Sequence, residues 1–142
     1  MHRHGSRLHH RRGADMPRGL ILFAHGSRDP AWASTLQTLS REISAIAPDL
    51  TVRCAYLELL QPDLPSVIDE LADQVSQLDL CPIFWSGNGH VQRDVPRLLA
   101  QARERHPQVD LSLRPVLSEL PGLLPWLAQA LAGSRAGTAD ER

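Results

Sequence analysis

At 142 residues the chain is long enough for one domain with a core of its own. Its 42% hydrophobic content and formal net charge of −1 fit a soluble globular protein with no basic stripe for nucleic acid. No apolar run nears the roughly 20 residues that span a bilayer, and all fifteen basic residues are arginine, which excludes Schiff-base and P-loop lysine chemistry.

Residues 1–17 carry a formal +3 and four histidines, His2, His4, His9 and His10, against −4 for the remainder. This composition predicts a disordered Arg/His-rich extension. It has no hydrophobic segment and so does not read as a secretory signal, and Met16 is an alternative start. The tetrapeptide at 4–7 repeats that at 25–28, but no strand precedes it and the repeat is read as coincidence.

Four strand–helix units follow. Residues 20–24 form a short apolar strand ended by glycine. Asp29 and Pro30 then supply an N-cap and a first-turn proline. Trp32, Leu36, Leu39, Ile43 and Ile46 fall at steps of 4, 3, 4 and 3 on one helix face, and Pro48 ends the helix. A second strand is expected over 51–58. Ser66 with Asp69 and Glu70 marks a helix start, with Leu64, Val67, Ile68, Leu71, Val75 and Leu78 as its buried stripe.

A third strand is expected over 80–85, with Pro82 an irregularity near its beginning. After His90 a helix runs to about Arg105, capped by Asp94, with Pro96 tolerated in its first turn. Residues 109–116 form a fourth strand. Leu120, Leu123, Leu124, Leu127 and Leu131 line a last helix, kinked or begun late at Pro125, and a polar tail follows Gly133. Alternating β and α segments predict an α/β domain over 18–132, a four-stranded parallel sheet with helices on both faces. Cys54 and Cys81 fall inside strands without metal-ligand spacing and read as reduced structural thiols, in keeping with a cytoplasmic location.

The chemistry gathers at strand ends. His25, Glu58 and His90 all fall at the carboxyl ends of predicted strands, where open α/β sheets bind ligands. Two imidazoles and a carboxylate suffice to hold a first-row divalent ion with positions left open. The bland readings stand beside this one: a histidine bonded to backbone at a strand end, and a solvated loop carboxylate. Gly26-Ser27 and Ser86-Gly87-Asn88-Gly89 each precede a helix and offer amide donors to anions. Arg28 and Arg93 could pair with carboxylates, or be exposed arginines at helix ends.

The run Leu22-Phe23-Ala24-His25-Gly26-Ser27-Arg28-Asp29-Pro30, then Tyr56-Leu57-Glu58, then Pro82-Ile83-Phe84 with Gly89-His90-Val91 and Asp94-Val95-Pro96, resembles the class II tetrapyrrole chelatases. The match is to the short sirohydrochlorin cobaltochelatase type and covers about 18–132. It implies a chelatase-like fold and ATP-independent insertion of a divalent metal into sirohydrochlorin, in cobalamin or sirohaem synthesis. Cobalt is favoured, with iron and nickel as alternatives, and no nucleotide is needed. By resemblance His25 and His90 bind the metal and Glu58 fills the family's acidic position. Trp85 departs from the pattern, standing where a smaller aliphatic is usual, and Gly87-Asn88 replaces the more common Ala-Gly.

The substrate's carboxylates would be caught by Ser27, Arg28, Ser86, Gly87, Asn88, Gly89 and Arg93. Long members of the family are two such units in tandem, which implies a homodimer with a shared cleft. No nucleic-acid or membrane partner is expected. Two rivals remain. A phosphohistidine-type phosphatase or mutase wants an arginine before its histidine, and Ala24 stands there. A non-catalytic metal or tetrapyrrole carrier could use the same pocket.

Overall fold

Six consecutive buried residues, 19–24, make β1 (Arg18–Ala24) the strand around which the sheet is built. The computed structural model describes residues 17–87 and 89–133, the side chains of 89–92 excepted. The N-terminal extension to residue 16, Asn88 and the tail from 134 lie outside the described residues, and with them the expectations made for them.

The elements follow as α1 (Pro30–Ile46), β2 (Leu50–Tyr56), α2 (Leu64–Ala72), β3 (Gln77–Pro82), α3 (Gly89–Arg105), β4 (Asp110–Leu113), a 3₁₀ turn (Leu117–Glu119) and α4 (Leu123–Ala132). The four strands pair in the order β2-β1-β3-β4, all parallel. This is the expected α/β architecture, and the strand order is new information. Right-handed crossovers put α1 on one face and α2 with α3 on the other. The packing agrees. Ile21, Phe23, Leu78 and Leu80 of the sheet join Val67, Ile68 and Leu71 of α2 and Val95, Leu99 and Ala102 of α3 in the larger core. Leu20, Leu22, Val52 and Tyr56 pack with Leu36 of α1 in the smaller one. On the α1 face of β3, Asp79 pairs with Arg114, just beyond β4, at 3.0 Å. Among the described residues no helix is long and apolar enough to cross a membrane.

Several boundaries differ from expectation for local reasons. β2 stops at Tyr56, whose amide turns to Pro62 O at 3.0 Å, so Glu58 lies in the following loop. α2 begins earlier than Ser66: Asp63 is its N-cap, accepting from Ser66 N at 2.9 Å, and Pro65 sits in the first turn, where its missing amide costs nothing. The helix ends at Ala72, so Val75 belongs to the next connection and Leu78 to β3, although both are buried as expected.

β3 lies three residues upstream of its expected place, and Pro82 ends it rather than begins it. It can run only as far as its neighbours do; Phe23 faces Pro82, and β1 stops one residue later. α3 starts at Gly89, so Asp94 is inside it, paired to Arg97 at 3.2 Å, and Pro96 interrupts the helix interior. β4 ends at Leu113, short of 116. α4 buries none of its residues. Leu124 and Leu131 are exposed, as are Trp32 and Ile46 at the ends of the α1 stripe.

Candidate functional site

β1 and β3 are neighbours whose following connections leave on opposite faces of the sheet. Such a switch in strand order opens a crevice beyond the carboxyl ends. His25 directly follows β1, and the segment 83–87 follows β3. Pairing continues past the strand ends: Ile83 N donates to Phe23 O at 2.8 Å, Leu57 N to Ala24 O at 3.0 Å and Glu58 N to His25 O at 3.0 Å. Backbone alone therefore brings the residues after β1 and β2 side by side.

Their side chains meet as well. His25 Nε2 lies 3.4 Å from Glu58 Oε1, the two side chains 47% and 52% exposed. A half-exposed pair of this kind is open to ions from solvent. What permits it is Gly26, at φ +114°, where a β-carbon would lie 1.8 Å from Glu58 O. No L side chain fits either that backbone conformation or that gap. Ser27 Oγ accepts from Asp29 N at 3.1 Å, and Asp29 caps α1 by accepting from Ala31 N at 3.0 Å. Ser27 thus braces the loop, and Arg28 stands exposed beside it.

On the other side of the crevice, α3 starts at Gly89, which places His90 in its first turn at the same edge of the sheet as His25. The ring of His90, like Asn88, is outside the described residues. Among the described residues no three His, Cys, Asp or Glu side chains cluster as a metal site; His25 and Glu58 are the members of the expected set seen together. Ser86 is exposed, Gly87 half-buried, and Arg93 exposed on α3. Ser86 and Gly87 also line a cavity of about 480 Å³ with Phe84, Val95, Arg114 and Glu119. Sequence reasoning missed this cavity, because it forms between α3 and the segment after β4, whose nearness depends on strand order.

The cysteines are no part of this centre. Both are free, and burial pushes both thiols up from their ordinary pKa. They stay protonated near neutral pH and are poor nucleophiles and ligands. Cys54 Sγ instead lies 3.7 Å from Leu36 O, tying β2 to α1.

The CbiX family model matches residues 19–134 of the chain. The chain belongs to the CbiX family. That bears out the resemblance to class II chelatases of the short type and fits the switch-point site just described. A sirohydrochlorin cobaltochelatase of Methanocaldococcus jannaschii is 27% identical over 88 residues, covering 61% of this chain and 62% of its own length. This CbiX chain thus spans less than two thirds of that relative. Among solved structures, a putative cobalamin biosynthesis CbiX protein from Marinobacter aquaeolei VT8 superposes with a TM-score of 0.70 at 24% identity, over 89% of this chain and all of that one. The sirohydrochlorin chelatase SirB from Bacillus subtilis subspecies spizizenii, in complex with cobalt, gives 0.62 at 20% identity, over 70% of this chain and 44% of that one. At these identities the two structures establish the fold.

Proposed function

We propose that this CbiX-family protein inserts a divalent metal ion, cobalt before iron or nickel, into sirohydrochlorin without ATP. The observation that carries the reading is the His25–Glu58 pair, set at the switch point by Gly26 and two inter-loop backbone bonds. An Nε2–Oε1 separation of 3.4 Å is also what two atoms about 2.0–2.1 Å from one ion subtend at a tetrahedral angle. Glu58 is therefore close enough to His25 to touch the same ion. His90, in the first turn of α3, is assigned as the second imidazole ligand.

The chemistry is an exchange. The free tetrapyrrole carries two protons on its inner nitrogens, and both must leave as the ion enters. A neutral imidazole, with a reference pKa of about 6.5, accepts one without difficulty near pH 7. Glu58 takes the second, and its position beside His25 keeps both acceptors at the same end of the crevice. Nothing is oxidised, no bond to phosphorus is broken, and no nucleotide is required. Capture of the substrate's carboxylates falls to Arg28, Arg93, Ser27 and the amides of the segment 86–89.

One domain presents a single wall to a flat macrocycle, so we assign a homodimer as the working form. The SirB chain, of which this one covers 44%, is long enough for a second such unit. A cytoplasmic location suits the two free cysteines.

An anaerobic absorbance assay with sirohydrochlorin and cobalt(II), iron(II) or nickel(II) tests the activity. The reading expects metallation well above the uncatalysed rate, fastest with cobalt. Binding of metal or macrocycle without acceleration would make the protein a carrier. Sedimentation as an active monomer would remove the shared cleft.

A further inference from the structure

The chain has three tryptophans, and all three are more than half exposed: Trp32 by 52%, Trp85 by 51% and Trp126 by 63%. Indoles usually hide most of their large apolar surface, so an exposed set calls for a partner. Two of them flank the crevice. Trp32 is in the first turn of α1, directly beyond the His25 loop, and Trp85 is in the segment that follows β3. Trp126 is on α4, which follows β4 and the 3₁₀ turn in the chain.

Neither flanking indole is on a loose segment. The Trp32 amide donates to Asp29 O at 3.1 Å within the capped start of α1. Phe84 packs edge-to-face on the buried Phe23, ring centroids 5.7 Å apart, which anchors the residue before Trp85 in the core. The carbonyls of Phe84 and Trp85 accept from Leu117 N at 3.1 Å and Ser118 N at 2.9 Å. The backbone that carries each exposed ring is thus already ordered, which lowers the cost of a contact there.

We propose that Trp32 and Trp85 are substrate-recognition residues that stack on the flat, apolar face of the tetrapyrrole and hold it over His25. This rests on the chelatase reading above and adds to it the contact that tells a planar macrocycle from other polycarboxylates. Arginines and helix amides recognise only the carboxylate rim; a flat π-surface needs a flat partner.

The test titrates the full-length protein anaerobically with metal-free sirohydrochlorin, reading both tryptophan emission and the absorbance of the macrocycle. Initial metallation rates with cobalt(II) are measured in parallel. Trp85→Ala and Trp32→Ala should each weaken binding and raise KM roughly three- to tenfold, with kcat held within about twofold. Trp85→Phe should restore most of the loss, and each alanine variant should lose part of the emission quenching. Trp126→Ala should leave KM unchanged. If the wild type turns over but both alanine variants keep its KM and quenching, the proposal is overturned and the chelatase reading survives. A fall in sedimenting mass with KM unchanged would make these indoles an interface between copies and overturn it too. A wild type that neither binds nor metallates the tetrapyrrole overturns both readings together.

Discussion

A β-carbon on Gly26 would lie 1.8 Å from the carbonyl oxygen of Glu58, closer than any two such atoms can approach. The loop that carries His25 and the loop that carries Glu58 are therefore in backbone contact, and the spacing of their side chains follows from that contact. Gly26→Ala cannot be absorbed by a rotamer change, because the obstacle is main chain. The substitution also demands a positive φ from alanine. We expect it to destabilise the fold by about 2–3 kcal/mol, read from urea unfolding. Metallation should fall further than that loss explains, because the loops must part and His25 then leaves Glu58. A variant with wild-type stability and turnover would show that the loops are not so coupled.

The two side chains themselves should behave differently from the glycine between them. His25 and Glu58 are about half exposed and support no core packing. His25→Ala and Glu58→Gln should therefore change unfolding free energy by no more than about 0.5 kcal/mol. Cobalt binding and metallation should nevertheless drop, by about 100-fold or more for a lost proton acceptor. Equilibrium dialysis with cobalt, alongside the rate assay, separates loss of the ion from loss of the proton step. Full turnover in His25→Ala would remove the mechanism.

The start of α2 offers a sharper contrast between two candidate caps. Ser66 with Asp69 and Glu70 has the look of a capping box, yet Asp63, whose Oδ1 accepts from Ser66 N at 2.9 Å, is the residue that caps the start of the helix. Hydrogen bonding from Ser66, by its side chain first and its amide second, lowers the Asp63 carboxyl pKa from its ordinary value. Asp63→Ala should cost about 1 kcal/mol of stability, the usual worth of an N-cap, whereas Ser66→Ala should cost a few tenths. The reverse order in thermal or urea unfolding would restore the sequence-based assignment.

These cases show what a linear reading could reach. Local signals placed Asp29 and Pro30 at the start of α1, the buried 64, 67, 68, 71 stripe of α2 and His25 at a strand end, because each depends on neighbours within a turn. Where β3 stops was hidden, since that is set by the ends of β1 lying beside it, and β1's neighbours follow from a strand order no periodicity encodes. The same holds for the His25–Glu58 contact. Both residues were legible as candidates, but their 3.4 Å separation comes from β1 and β2 pairing in register. α4 misled in the opposite direction: its leucine spacing is that of a buried helix, yet none of its residues is buried.

Away from the site, Asp69 joins α2 to the segment just after α3. It lies 2.6 Å from His106 Nε2 and 3.1 Å from an Arg105 nitrogen. The hydrogen bond with His106, more than any other influence, lowers the Asp69 pKa from its ordinary value; Arg105 adds to this, and partial burial opposes it. A carboxylate whose folded pKa is depressed contributes stability that is fully present above its unfolded pKa, about 3.9, and is lost as pH falls through the lower folded value. Asp69→Asn should therefore cost stability at pH 6–7, by no more than about 1 kcal/mol because half the side chain is in water. The difference between variant and wild type should shrink steadily below about pH 4. Urea midpoints measured from pH 3 to 7 give the comparison, and a difference that grew on acidification would mean that the charge on Asp69 is not what ties α2 to the end of α3.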